Sequence, residues 1–253
     1  MRILIIADDN TGATDAAGML TSAGTKALLL LDPALLDHNT VSTEYDVVVV
    51  STRIRSVSPD EAHRLTRETI ERALPLGFDI IQLKYCSTFD STPEGNIGQS
   101  LDAAHEVLGF PSTIVCPALP VNGRTTYMGY HFVHRRLLSE SPMAQHPLNP
   151  MTDASLVRWL STQTNKKIGL IDLPTIRRGV PAIREARRQL EADGCPYHVT
   201  DAVEQNDIDR TVQAYADVSF LSGGSGVSQA LGKLYFADRT PLDFSQRLAG
   251  LKQ

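Results

Sequence analysis

The run Asp8-Asp9-Asn10-Thr11-Gly12 sets two carboxylates, a hydroxyl and a glycine turn directly after the apolar stretch Ile3–Ala7. A carboxylate so placed can take a proton from a substrate hydroxyl or hold that hydroxyl by hydrogen bond. A plainer role, capping the helix that follows, suits one of the two Asp and leaves the other available. A second run, Ser51-Thr52-Arg53-Ile54-Arg55-Ser56, places arginines just past an apolar segment. A guanidinium there can clamp a carboxylate or phosphate through two parallel bonds. One of Arg53 and Arg55 is expected to face a crevice, and either alone reads as an ordinary surface residue. The third run is Lys84-Tyr85-Cys86-Ser87-Thr88-Phe89-Asp90. It offers a cation for an anionic group, then donors and acceptors suited to polyol hydroxyls. Its plain alternative is a polar loop that caps a helix near Gly95. Cys86, with no His close in sequence, reads as packed rather than nucleophilic.

Two weaker signals follow. Asn122-Gly123 is a turn dipeptide, but Arg124, Thr125 and Thr126 go beyond what a turn needs, so Asn122 and Arg124 join the candidate ligand contacts. Gly223-Gly224-Ser225-Gly226 lies between an apolar run and a short helix, where successive N–H groups form an anion or phosphate nest; an ordinary tight connection explains it equally well. His131, His134 and His146 have no metal-ligand spacing, and no metal is expected. A phosphatase-type DxDxT motif fails at Asn10 and Gly12, and the chain has neither GxGxxG nor GxxxxGK[ST].

These residues need a scaffold that brings segment ends together. Continuous β-branched runs at Ile3–Ala7, Lys26–Leu31, Asp46–Ser51, Asp79–Lys84, Ser112–Pro117, Ile168–Asp172, Pro196–Thr200 and Val218–Ser222 predict strands buried on both faces. Helical stretches separate them. Ser58-Pro59-Asp60-Glu61 predicts a capping box opening a helix to about Leu74. Asp153 should cap a helix through Gln163, and Gly194 should end one running from about Val180 to Asp193. Strand–helix repetition implies an α/β fold: an open, mainly parallel sheet with helices on both faces. Such sheets bind ligands outside the carboxyl ends of their strands, where the three runs fall. An irregular insertion around 117–151 breaks the rhythm, with a hairpin expected from Thr125–Tyr127 and His131–Val133 about Met128-Gly129-Tyr130. Long irregular segments inside a domain are usually functional.

Composition narrows the class. The 253 residues carry 24 basic and 29 acidic side chains, a net charge of −5, which argues against nucleic-acid binding. Three cysteines without a CxxC motif fit a reducing compartment. The first apolar run is far too short for a signal sequence, and no window approaches the ~18–20 apolar residues of a membrane span. A cytoplasmic protein with no membrane association is expected.

Taken together, IADDNTGATDAAG, STRIRS, KYCSTFDSTPEGNIG, PALPVNGRTTYMGYHFV, HPLNPMTD and SGGSG, in this order, resemble the N-terminal, sugar-binding domain of the four-carbon acid sugar kinase family, and within it the 3-oxo-tetronate kinase branch. The resemblance covers Met1 to Phe236. It implies phosphoryl transfer from MgATP to a hydroxyl of an erythronate, threonate or oxo-tetronate, with the acid on the N-terminal domain and the nucleotide on a C-terminal one. It also implies substrate contacts at Asp9 (or Asp8), Arg55 (or Arg53) and Lys84 through Ser87. On that basis Arg55 and Lys84 hold the carboxylate, Asp9 orients or deprotonates the attacking hydroxyl, and Ser87, Thr88 and Asp90 read the remaining oxygens.

Nothing here matches a nucleotide domain. The chain is therefore expected to comprise a sugar-acid-binding domain over 1–236 and a linker or terminal arm over 237–253. It should phosphorylate poorly or not at all alone, with MgATP held by a separate domain or chain. A contact surface left uncovered favours a homodimer. One alternative is a non-catalytic module that binds or senses small carboxylic acids; another is an aspartate-dependent phosphatase or hydrolase using Asp8.

Overall fold

Each apolar run becomes a strand because its alternate side chains have a core on either side of the sheet. In the computed structural model, which describes residues 1–240, the strands are β1 (Ile3–Ala7), β2 (Ala27–Leu30), β3 (Val47–Ser51), β4 (Ile80–Lys84), β5 (Thr113–Cys116), β9 (Ile168–Ile171), β10 (Tyr197–Thr200) and β11 (Phe220–Gly223), with β6 (Arg124–Tyr127), β7 (Tyr130–Val133) and β8 (Arg136–Leu137) in the insertion. Eight of them form one sheet in the order β2-β3-β1-β4-β11-β5-β10-β9, and every pairing in it is parallel. Leu4, Ile6, Val48 and Val50 point to one core; Ile3, Ile5, Val47 and Val49 point to the other. Fully burying one such side chain is worth roughly 1.5–3 kcal/mol, so a polar substitution within β1 or β3 would disable a whole layer.

Helices cover both faces. Residues of α2 (Pro59–Ala73), α3 (Ile97–Leu108) and α4 (Leu156–Ser161) join the first core, and those of α1 (Asn10–Thr21), α5 (Leu173–Arg177), α6 (Val180–Ala192), α7 (Gln205–Ala214) and α8 (Ser225–Tyr235) join the second. Gly194 follows α6 with φ +76°, the left-handed residue expected there. Ser58 accepts from the N–H of Glu61 as expected, while the Glu61 carboxylate turns to Arg64 instead of completing the box. The cap expected at Asp153 is supplied by Ser155, and the helix ends at Ser161. The reason is local: Asp153 is drawn into a bidentate pair with Arg158 and accepts from the N–H of Ser155.

The insertion forms a three-stranded antiparallel sheet, β6-β7-β8. Its two-residue turn is Met128-Gly129, both with positive φ (51° and 76°), the geometry that matches strand twist in a tight hairpin. Of the expected arm, Arg239 pairs with Asp46; 241–253 lie outside the described residues. Among the described residues, no helix is long and apolar enough to cross a membrane.

Candidate functional site

Register places the chemistry. Ala7 is level with Ser51 of β3 and Lys84 of β4, and Lys84 is level with Gly223 of β11. The residues just beyond these positions share one rim. Because β2 and β3 lie to one side of β1 and β4 to the other, the chain reverses direction across the sheet at β1, the kind of switch point at which open α/β sheets bind ligands.

Asp8, nearly inaccessible, receives the Arg55 fork: Nε to Oδ2 at 2.8 Å and Nη2 to Oδ1 at 3.0 Å. Nη1 of Arg55 reaches Asp9 Oδ2 at 3.0 Å and Asp90 Oδ2 at 3.8 Å. One guanidinium therefore gathers three carboxylates. Burial raises the Asp8 carboxyl above its ordinary range, against the opposing pull of Arg55 and Lys84. The same pairing, chiefly with Asp8, outweighs the desolvation of Arg55 and keeps its guanidinium firmly charged. Asp9 also caps α1, Oδ1 accepting from the N–H of Gly12 at 2.6 Å. Capping and crevice roles thus fall on one residue.

Of the two candidate arginines, Arg55 faces the crevice. Arg53 sits at φ +56° and sends Nη2 to the carbonyl of Leu31, beyond β2. The turn carrying Arg55 is held by Asn96, whose side-chain amide donates to the carbonyls of Ile54 and Val57.

Lys84 is the unusual group. It is 3% exposed, its Nζ donates to the Tyr85 carbonyl at 3.3 Å, and among the described residues no carboxylate lies within 4 Å of it. It lies against the first turn of α1: a Cβ added at Gly12 would stand 2.5 Å from Nζ and 2.7 Å from Asp9 Oδ1. Gly12 is thus the space that lets the ammonium and the helix N-terminus approach. Asp8 attracts this ammonium without bonding to it, and a helix N-terminus adds partial positive charge. The ammonium and the helix N-terminus both favour an incoming anion.

The loop after β4 divides its duties. Tyr85 is withdrawn, its hydroxyl bonded to Ser222. The Thr88 hydroxyl donates to Asp90 Oδ1 at 2.6 Å and lies 2.9 Å from Cys86 Sγ. Asp90 and Cys86 lie near Arg55, Cys86 and Ser87 are half-buried, and burial pushes the Cys86 thiol up. Thr11 is exposed on α1 and Asn122 on a short turn, neither drawn to this cluster. Arg124 donates to the carbonyl of Asn122, while its Nε is buried without a partner.

The Gly223–Gly226 turn meets this chain's own groups. Gly224 N–H bonds to the Cys116 carbonyl and the Ser225 hydroxyl to the Asp15 carboxylate. Added Cβ atoms at Gly223, Gly224 and Gly226 would meet the carbonyls of Cys116, Pro117 and Ala118 at 2.5–2.8 Å. The glycines allow α8 to press on the segment after β5. Among the described residues, no group of three or more His, Cys, Asp or Glu could hold a metal ion.

Sequence reasoning missed Asn96, His131 and Asp201. Asp201 follows β10 and accepts three backbone N–H groups, those of Met128 (2.6 Å), Gly129 (2.9 Å) and Leu173 (2.9 Å). Each of these residues acts on backbone groups far away in sequence, which no local motif encodes.

The fold is an α/β domain whose rim gathers three carboxylates, one arginine and one buried lysine. Residues 3–231 match the family of sugar-binding N-terminal domains, and the chain belongs to that family. It is 39% identical to the 3-oxo-tetronate kinase of Brucella melitensis over 93% of this chain and 53% of that protein, and 37% identical to that of Escherichia coli over 92% and 59%. The chain thus spans little more than half the length of these curated relatives. Among solved structures, a Salmonella typhimurium protein described as a putative tRNA synthase superposes with a TM-score of 0.89 at 39% identity, covering 93% of this chain and 56% of that one. A Bordetella bronchiseptica domain of unknown function, a domain-swapped dimer with bound citrate, superposes at 0.75 with 26% identity, covering 93% and 56%.

Proposed function

We propose that this chain is the sugar-acid-binding half of an ATP-dependent kinase acting on four-carbon sugar acids of the 3-oxo-tetronate class. The observation that carries the reading is Lys84, a buried ammonium without a carboxylate partner, set at the α1 N-terminus beside the Asp8–Asp9–Asp90 cluster. The substrate carboxylate is taken by Lys84 and the α1 N-terminus, and the neighbouring carboxylates take its hydroxyls. Citrate in the Bordetella neighbour supports a carboxylic acid as ligand class. The role first expected of Arg55 changes: its fork is occupied by Asp8, so it organises the acidic cluster, and Lys84 takes the anion.

Asp9 is the group to orient or deprotonate the attacking hydroxyl, since its side chain is more exposed than that of Asp8, which the Arg55 fork engages at both oxygens. The same engagement disfavours a phosphatase that uses Asp8 as nucleophile. MgATP supplies the phosphoryl group, and its binding belongs to the other half of such a kinase. That half would reach the site from a separate domain or chain, and the swapped dimer of the Bordetella neighbour supports assembly as a homodimer.

The test is a thermal-shift screen with erythronates, threonates, 3-oxo-tetronate and citrate, each with and without MgATP. A sugar acid at 100 Kd should contribute about 2.7 kcal/mol, and MgATP alone nothing. In an enzyme reconstituted with a nucleotide-binding half, Asp9→Asn should abolish turnover while weakening acid binding only modestly. Stabilisation by MgATP alone would overturn this division of labour, and normal turnover by Asp9→Asn would remove it as the base.

A further inference from the structure

We infer that His131 is a positioning residue for the ligand loop, tying the β6–β7 hairpin to Cys86–Thr88; the inference rests on the sugar-acid reading above. His131 is fully buried on β7, opposite Thr126 of β6. Its Nε2 lies 2.8 Å from the carbonyl of Ser87, and its Nδ1 lies 2.9 Å from the Thr126 hydroxyl. A carbonyl can only accept, so Nε2 carries the proton and donates to Ser87. Nδ1 is then bare and accepts from the Thr126 hydroxyl. Burial, reinforced by Arg124, pushes the imidazole down to about 4, in keeping with this neutral tautomer.

The bond matters because of what it holds. Tyr85 is fixed from below through Ser222, and Ser91 is fixed by Trp159 and Gln163. Between them, the bonds within Cys86–Thr88 are local: Thr88 to Asp90, Cys86 to Thr88, and Phe89 N–H to the Cys86 carbonyl. Among the described residues, the His131–Ser87 bond is the one hydrogen bond this segment receives from another element. The hairpin behind it is itself anchored, with Thr126 exchanging two backbone bonds with Ala202 and Asp201 gripping the Met128-Gly129 turn. His131 therefore transmits the position of a fixed hairpin to the stretch that lies beside Lys84 and Arg55.

The test measures dissociation constants for 3-oxo-tetronate and L-threonate, by calorimetry well below the melting temperature, for wild type and His131→Phe, His131→Gln and Thr126→Val. His131→Phe keeps the ring and deletes the donor; a roughly tenfold weaker affinity is expected. His131→Gln can again donate to the Ser87 carbonyl and should recover most of the loss. Thr126→Val leaves the donor but frees the tautomer, and a two- to fourfold loss is expected; it stands alone should the Phe variant not fold. A merely structural histidine would lower the melting temperature and leave affinity unchanged, and that result in Phe and Val variants would overturn the inference. If wild type bound neither acid, the sugar-acid reading would fall and this inference with it. Binding by wild type with equal affinity in all variants would overturn the inference alone.

Discussion

Asp8 and Asp201 hold equivalent places, each the first residue after a parallel strand at the same rim, and each is buried with its carboxyl pushed up by desolvation. Their surroundings differ. Asp201 is met by three backbone N–H groups, which satisfy it and fix a hairpin turn and the start of α5. Asp8 is met by the side chain of Arg55, which also reaches Asp9 and Asp90, and it stands near a lysine that has no carboxylate of its own. Neutral donors close a carboxylate into the scaffold. Charged side chains shared among several acids form a polar cluster at the rim, where the proposed ligand would bind.

Removing each carboxylate should break the comparison most visibly. Asp201→Ala leaves three N–H groups unpaired, two of them in buried bonds, and is expected to cost roughly 3 kcal/mol in stability, read from the urea midpoint, with ligand affinity following only through the hairpin. Asp8→Ala should cost less stability, because Arg55 keeps Asp9 and Asp90 and its side chain is 21% exposed; sugar-acid binding should suffer most. Equal stability losses would erase the distinction between scaffold and site.

Lys84→Met sharpens it further. Deleting a charge-assisted bond costs about 1.5–3 kcal/mol, so sugar-acid affinity should fall about 10–100-fold in titration calorimetry. Stability should change little, since the desolvation relieved at Lys84 is offset by the lost attraction to Asp8. Lower stability with unchanged affinity would make Lys84 part of the scaffold.

The smallest effect per step is in pH. His131 and His198 are both held down to about 4 by burial, below the ~6.5 of an unfolded chain. In that window the unfolded state binds more protons, so their contribution is fully present above about pH 6.5 and fades as pH falls toward 4, by at most about 1.4 kcal/mol per unit for each. Asp8 and Asp201 pull the other way, their penalty easing as pH falls through their raised values. Urea midpoints between pH 7.5 and 5 should therefore decline, and His131→Gln should flatten part of the slope. The same slope in His131→Gln as in wild type would mean that His131 is not held neutral.

Much of this molecule was legible in its residues. Continuous Val, Ile and Leu runs located all eight strands of the main sheet to within a residue or two, because only a strand buried on both faces tolerates such runs. Polar residues directly after those runs marked Asp8, Asp9, Arg55 and Lys84, because parallel strands bring their carboxyl ends to one rim. The hairpin announced itself through Met128-Gly129. What local pattern could not carry was partnership over long separations. Asp153 lost its cap role to a bidentate Arg158, and Arg53 was indistinguishable from Arg55 until the chain turned at φ +56°. The insertion of β11 between β4 and β5 put the Gly223–Gly226 turn beside Cys116 and Pro117, where close packing explains its glycines. His131 reaches Ser87 across 44 positions and Asp201 reaches Met128 across 73. Sequence by itself determined which segments pair into a sheet and which side chains stand at its rim, since periodicity and burial are local properties. Only the tertiary structure decided which of those side chains satisfy one another and which are left for a ligand, because hydrogen bonds and charges are balanced between groups that meet only after folding.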